Sequence, residues 1–196
     1  MDVSSVVLTA YQSNCYLVSQ GDTLVVIDPG DYGEPLKKAL GEREPTAVVC
    51  THAHPDHVAG VPGVLERYGV PFYTHPEGRM FLERFAPEVS AFEPLSDGQT
   101  LTLGDLAFTV MHTPGHSPDG VILIEAQQRA IFVGDLVFAG SVGRVDLPGS
   151  DPEVMQQSLY SLLELADDFT LYPGHGPATT LGHERRNNPF LQALPT

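Results

Sequence analysis

Residues 52 to 57 read His-Ala-His-Pro-Asp-His, three imidazoles and a carboxylate within six positions directly behind an apolar run. A zinc-type site needs neutral imidazoles about 2.0–2.1 Å from the ion, and a catalytic one keeps a coordination position open for water. Side chains two apart on extended backbone point the same way, so His52 and His54 can converge on one ion just past a strand. Asp56 and His57, carried round the following turn, can reach a second position nearby. A lone histidine is more often packed or exposed than ligating; this pattern at the end of a buried strand is far more specific.

Three further residues share one grammar, a strand followed by a polar side chain in a Gly- or Pro-containing turn: His116 in "TPGHSPDG", Asp135 in "FVGDLVF" and His175 in "YPGHG". Loops at one edge of a rigid sheet are where catalytic groups collect. A carboxylate has two oxygens, so Asp135 can serve both ions, and the set then offers each of two ions four protein ligands. Two divalent ions are expected, zinc first, with iron and manganese compatible with the same imidazole and carboxylate donors.

The elements that must position these groups follow from the patterning. "DTLVVIDPG" (22–30) and "TAVVCTH" (46–52) read as buried strands joined by a short helix in "GEPLKKALG", a βαβ unit. Pro62 in a first turn and Gly69 at a helix end make "VPGVLERYG" the helix after the histidine cluster, which therefore lies in a strand-to-helix loop. "PFYTH" predicts a strand, "PEGRMFLERF" a helix, and "QTLTL", "LAFTVMHT", "GVILIEA" and "RAIFVGDLVF" further strands. "DPEVMQQSLYSLLELA" predicts an amphipathic helix with Asp151 as N-cap, Pro152 at N1, and Met155, Leu159, Leu162, Leu163 and Ala166 on one face. "FTLYPGHG" supplies a last strand. Mixed strands with helices covering outer faces imply a layered α/β sandwich.

A chain of 196 residues, 42% of them hydrophobic, suits a single domain with a sizeable core. No segment approaches the run of about 18 apolar residues that spans a membrane. Ten basic against 25 acidic residues give a formal charge of −15, which argues against a nucleic-acid binder. "MDVSSVVLTAYQ" has an acid at position 2 and no cationic stretch, so it does not read as a signal peptide, and the cytoplasm is the expected compartment. Cys15 and Cys50 are too few for a disulfide framework and read as inert packing thiols.

"THAHPDH", "TPGHSPDG", "FVGDLVF" and "YPGHG", in this order and at these separations, resemble the signature of the metallo-β-lactamase superfamily, and the likeness runs from "LVVIDPG" to the end of the chain. The resemblance implies an α/β fold, a four-layer αββα sandwich, as one domain over residues 1–196. It places His52, His54 and His116 on one metal and Asp56, His57 and His175 on the other, with Asp135 bridging. Many zinc β-lactamases have a cysteine where Asp135 stands, so the likeness is greatest to the glyoxalase II-like hydrolases, which cleave thioesters such as S-lactoylglutathione. That family has a G-x-G-[K/R] turn whose cation holds the glutathione carboxylate; here the match is Gly143-Arg144, and Arg144 is either that cation or the partner of Asp146 in a surface ion pair. The short ending after His175 leaves no room for the C-terminal helical domain that completes the glutathione pocket in full-length glyoxalase II, and "GHGPAT" replaces its H-E-Y motif.

The expected reaction is hydrolysis of a small-molecule thioester, without a nucleic-acid or membrane partner. A hydroxide held between ions about 3.5–4 Å apart is the expected nucleophile, with Asp56 orienting it or taking its proton. A thiolate of pKa near 8.5 leaves without a general acid. Two rivals stand beside this: a persulfide dioxygenase, which resembles glyoxalase II but uses one iron, and a metal-binding module without turnover. Asp28 is either an orienting partner for a ligand histidine or the start of an Asx-type turn before Pro29-Gly30. Arg185 and Arg186 read as solvated or as a substrate rim, His75, His112 and His183 as structural, and Tyr11 and Tyr32 as possible pocket residues.

Overall fold

The computed structural model describes residues 1–194. Two six-stranded sheets form the centre of the molecule. The first contains, in spatial order, β1 (Asp2–Leu8), β2 (Ser13–Gln20), β3 (Thr23–Ile27), β4 (Ala47–Val49), β5 (Phe72–Thr74) and β6 (Glu93–Pro94). β1 to β3 form an antiparallel meander, and β3 to β6 run parallel, as the βαβ pattern requires. The second sheet has the order β14 (Thr179–Thr180), β13 (Thr170–Pro173), β10 (Ala130–Gly134), β9 (Val121–Glu125), β8 (Leu106–His112) and β7 (Thr100–Leu103). β10 and β13 are parallel, so β8, β10 and β13 all end at one edge. β11 (Val137–Phe138) and β12 (Ser141–Val142) make a separate small ribbon.

Three apolar layers hold these sheets in register. Tyr16, Val18, Val25, Ile27 and Val49 of the first sheet meet Leu101, Phe108, Val110, Leu123 and Phe132 of the second in the central layer. Alternate residues face outward: Leu17, Leu24, Val26 and Val48 pack under α1 (Glu34–Leu40), α3 (Val61–Tyr68) and α4 (Arg79–Phe85). On the far side Ile122, Ile124, Ile131 and Leu171 pack under α5 (Pro152–Leu163), α6 (Leu181–Asn187) and α7 (Pro189–Gln192). The order is helix, sheet, sheet, helix, which is the expected four-layer sandwich. Each side chain buried in these layers contributes about 1.5–3 kcal/mol of transfer free energy. Cys15 and Cys50 are free thiols within the first outer layer, where burial pushes both well above the usual thiol range.

Several elements depart from the sequence reading. The apolar stretch from 129 to 138 is not one strand: Gly134 takes φ 50°, the chain turns, and Asp135 stands in the break between β10 and β11. Helix α5 starts as expected, Asp151 accepting from the backbone N–H groups of Glu153 and Val154, but ends at Leu163, short of Ala166. The stretch 76–85 divides into a 3₁₀ turn over Pro76–Gly78 and then α4. Pro55–Val58 closes into one short helix, α2, immediately after His54, so the histidine cluster is part turn and part helix. Among the described residues no helix is long and apolar enough to cross a membrane.

Candidate metal centre

Four loops meet at the edge shared by the two sheets. The loop after β4 carries His52 and His54, α2 carries Asp56 and His57, and the loops after β8, β10 and β13 carry His116, Asp135 and His175. Candidate ligand atoms of His52, His54 and His116 lie within 4.8 Å of one another, as do those of Asp56, His57 and His175. Asp135 stands between these groups: its Oδ2 is 3.4 Å from His116 Nε2 and 3.4 Å from His175 Nε2, and its Oδ1 is 3.5 Å from His57 Nε2.

The tautomers follow from what the outer ring nitrogens touch. His116 Nδ1 is 2.8 Å from the Arg144 carbonyl and His175 Nδ1 is 3.1 Å from the Tyr11 carbonyl, so both Nδ1 atoms carry the proton. His57 Nδ1–H donates to Asp28 Oδ2 at 3.1 Å. Thr51 Oγ1 donates to the same carboxylate oxygen at 2.6 Å and accepts from His52 Nδ1–H at 3.2 Å. These four rings therefore turn Nε2 inward, while His54 presents Nδ1, which lies 2.9 Å from His116 Nε2. His52 Nε2, His57 Nε2 and Asp135 Oδ1 are buried with no hydrogen-bond partner. Buried polar atoms left without a partner in this way, aimed at one another, are what a bound cation would satisfy. The donor set thus fits two divalent ions.

Electrostatics divides the two groups. Burial first, then the neighbouring imidazoles, holds His52 well below the ordinary histidine range, and burial with His116 brings His54 down to about 4. Burial opposes charge on His57 and His175 too, but the carboxylates outweigh it: Asp135 and Asp28 lift His57 to about 9, and Asp135 and Asp56 lift His175 to about 10. Asp56 is pushed up by burial yet falls to about 2 because of His175 and His57. His52 and His54 are ready to bind a cation as neutral imidazoles, whereas His57 and His175 hold protons in the cation's place.

Asp28 ends β3 beside β4, with φ 54°, a left-handed conformation that Asp tolerates better than most residues. Both of its oxygens are engaged, Oδ1 by the Thr51 N–H at 2.7 Å and Oδ2 by Thr51 and His57, so it orients ligands instead of serving as one. Sequence reasoning assigned no role to four other residues. Asp119 accepts from Ala53 N at 2.7 Å and from the Ser117 hydroxyl, tying the loop between His52 and His54 to the His116 loop. Ser13 Oγ holds the Asp56 carbonyl at 2.7 Å, and Asn14 Nδ2 donates to the carbonyls of Pro173 and Gly176 on both sides of His175. Thr51 links His52 to Asp28. For Asp119 the signal was present in its place beside His116; for the others it emerges only when the sheets pack. At Gly174 the approach is so close that a Cβ would overlap Asp135 Oδ1 and lie 2.8 Å from His57 Cε1.

A cleft of about 480 Å³ opens over the centre, lined by His54, Asp56, His116, Asp135 and His175 together with Tyr11, Phe81, Phe85, Leu147 and Pro148. Arg144 lines it too, but its Nε and a terminal nitrogen bind the Asp146 carboxylate at 2.6 and 2.8 Å, the ion-pair alternative for this residue. Arg185 and Arg186 both pair with Asp167 outside the cleft, and Tyr32 packs on Tyr68. His75 and His112 stack at 4.0 Å, away from the donors, and His183 is exposed on α6.

Comparison with known proteins agrees with this geometry. The chain is 34% identical over 210 residues to the hydroxyacylglutathione hydrolase GloC of Haemophilus influenzae, covering 98% of this chain and 99% of that one. The solved structure of TTHA1623 in a di-iron-bound form superposes with a TM-score of 0.89 at 40% identity, covering 96% of this chain and all (100%) of that one. That of the BLEG-1 B3 metallo-beta-lactamase gives 0.89 at 32% identity, covering 98% and 100%. The family described as the metallo-beta-lactamase superfamily matches residues 8–175, the span from the end of β1 to the last histidine of the centre. With its sandwich fold and a His/Asp metal site at the shared sheet edge, this chain belongs to the metallo-beta-lactamase superfamily.

Proposed function

We propose that the protein hydrolyses acyl thioesters at a dinuclear centre, giving a carboxylic acid and a free thiol. The observation that carries this reading is Asp135, a carboxylate facing both histidine groups. In this assignment His52, His54 and His116 would hold one ion and Asp56, His57 and His175 the other, with Asp135 available to both. When bound, such a pair supplies an activated water at neutral pH and positive charge to polarise the acyl carbonyl. Asp56, which lines the cleft beside His175, would orient the attacking water and accept its proton. Among the described residues, the histidine and carboxylate groups lining the cleft all belong to the donor set, so none is left over as a general acid. A thiolate needs none, whereas an amine leaving group does. The likeness to GloC supports the same choice.

The test is a panel including S-lactoylglutathione and simple acyl thioesters, with nitrocefin as a β-lactam control, assayed anaerobically for free thiol while bound metal is counted. Thiol release that a chelator abolishes and that His54→Ala removes is the expected result. Turnover insensitive to both, or oxygen consumption with glutathione persulfide and no thioester cleavage, overturns the proposal.

A further inference from the structure

We infer that Arg84 is a specificity residue that selects substrates bearing a carboxylate, an inference that rests on the thioesterase reading for the reaction but not for the binding. The chain has ten Lys and Arg residues against 25 Asp and Glu, so its overall field repels anions. Two of those cations, Arg84 and Arg144, line the cleft that holds the donors. Arg144 is neutralised by the two-point ion pair with Asp146. Arg129, Arg185 and Arg186 are likewise paired with acids elsewhere. Among the described residues Arg84 has no carboxylate within 4.0 Å and lies against an aromatic face, its guanidinium carbon 5.1 Å from the Phe85 ring centroid.

That contact lays the charge along the wall of the cleft. Arg84 and Phe85 close the last turn of α4, and Phe85 stacks on Phe81 with centroids 6.4 Å apart. Phe81 in turn meets the His54 ring edge-on at 5.5 Å. A continuous wall thus runs from a donor histidine along two phenylalanines to an unpaired guanidinium. A substrate with its reacting carbonyl at the metal centre and an apolar stem along Phe81 and Phe85 brings an anionic end to Arg84, whose planar fork matches a carboxylate. The carboxylate belongs to the acyl half or to the thiol half of the thioester; the shared chemistry is the same.

Three thioesters separate these cases: S-acetyl-2-mercaptoethanol, which is neutral, S-acetyl-3-mercaptopropionate, acidic on the thiol side, and S-succinyl-2-mercaptoethanol, acidic on the acyl side. Each is assayed with the metal-loaded wild type, Arg84→Gln, Arg84→Lys and Arg144→Gln. In parallel, equilibrium dialysis measures binding of the unreactive thioether 3-(methylthio)propionate and of its neutral amide. Arg84→Gln is expected to raise KM for at least one acidic thioester about five- to tenfold, leave kcat and the neutral thioester unchanged, and weaken the acid thioether but not the amide. Arg84→Lys restores part of the effect and Arg144→Gln leaves the preference in place. Equal effects on acidic and neutral ligands, or a preference that moves with Arg144→Gln, overturn the inference. If the wild type cleaves no thioester, the proposed reaction fails, and the dialysis alone decides: discrimination lost in Arg84→Gln upholds the role of Arg84, and equal binding removes it.

Discussion

Asp28→Asn replaces one buried oxygen by an NH₂ group, and the structure specifies what that does to the metal centre. The carboxylate accepts three hydrogen bonds, from Thr51 N, Thr51 Oγ1 and His57 Nδ1. An amide has one acceptor atom, so either orientation sets its N–H against a donor: the Thr51 N–H in one, the Thr51 hydroxyl and His57 Nδ1–H in the other. In the second, relief comes only if His57 changes tautomer, placing a proton on Nε2 where the lone pair is needed, or if Thr51 turns and releases His52 Nδ1. Loss of a partner that orients a metal-bound histidine typically costs about 10–100-fold in metal affinity, or about 1.4–2.7 kcal/mol. The buried unsatisfied donor costs a further ~1–3 kcal/mol of fold stability. Chelator competition and bound-metal counts on wild type and variant give the first quantity, and chemical denaturation of the metal-free proteins gives the second. An Asp28→Asn protein that melts normally and holds both ions at wild-type affinity refutes the orienting role and the tautomer assignments with it.

Two other perturbations test the same centre. His57 at about 9 and His175 at about 10 are protonated at pH 7.5 in the metal-free protein, so an ion entering that group must displace protons. Its affinity should rise up to about tenfold per pH unit for each proton displaced, and titration calorimetry in buffers of different ionisation enthalpy should register the release; an enthalpy independent of buffer contradicts the shifts. In the metal-free fold these raised values stabilise below the unfolded-state histidine pKa of about 6.5, and that contribution disappears as pH rises through 9 to 10. Gly174→Ala should displace the Asp135 carboxylate and lower kcat at least ~100-fold while the circular dichroism spectrum stays native; full activity would show that Asp135 does not sit where the overlap places it.

The chemistry was easier to read in the sequence than the scaffold that aims it. Histidines and acids in Gly- or Pro-containing turns after apolar runs declare themselves by residue type, and these seven candidates meet at one edge. The buried strands β3, β4, β9 and β10 are continuous apolar runs and equally plain. The N-terminal β1 and β2 were not: β1 is a largely exposed edge strand rich in serine, and exposure removes the apolar alternation that marks a strand, while β2 is buried but mixes Ser, Asn and Gln with its apolar residues. The break at Gly134 hid inside an apolar run, since a single glycine marks a strand's interruption only when its positive φ is seen. Ser13, Asn14 and Thr51 act through contacts between distant segments; hydroxyl and amide side chains are common enough that only packing shows which of them hold a loop.

The connectivity of the sheets has a bearing on biogenesis. The first sheet is complete within residues 2–94, and the second takes its strands from residues 100–180. During synthesis the amino-terminal half emerges first, carrying His52, His54, Asp56 and His57, while the remaining donors are still to be made. The shared carboxylate at 135 and the last imidazole at 175 arrive only as the carboxy-terminal half docks. Neither donor group is complete before that, because the first lacks His116 and the second His175, so loading of the full pair of ions is a late event in maturation.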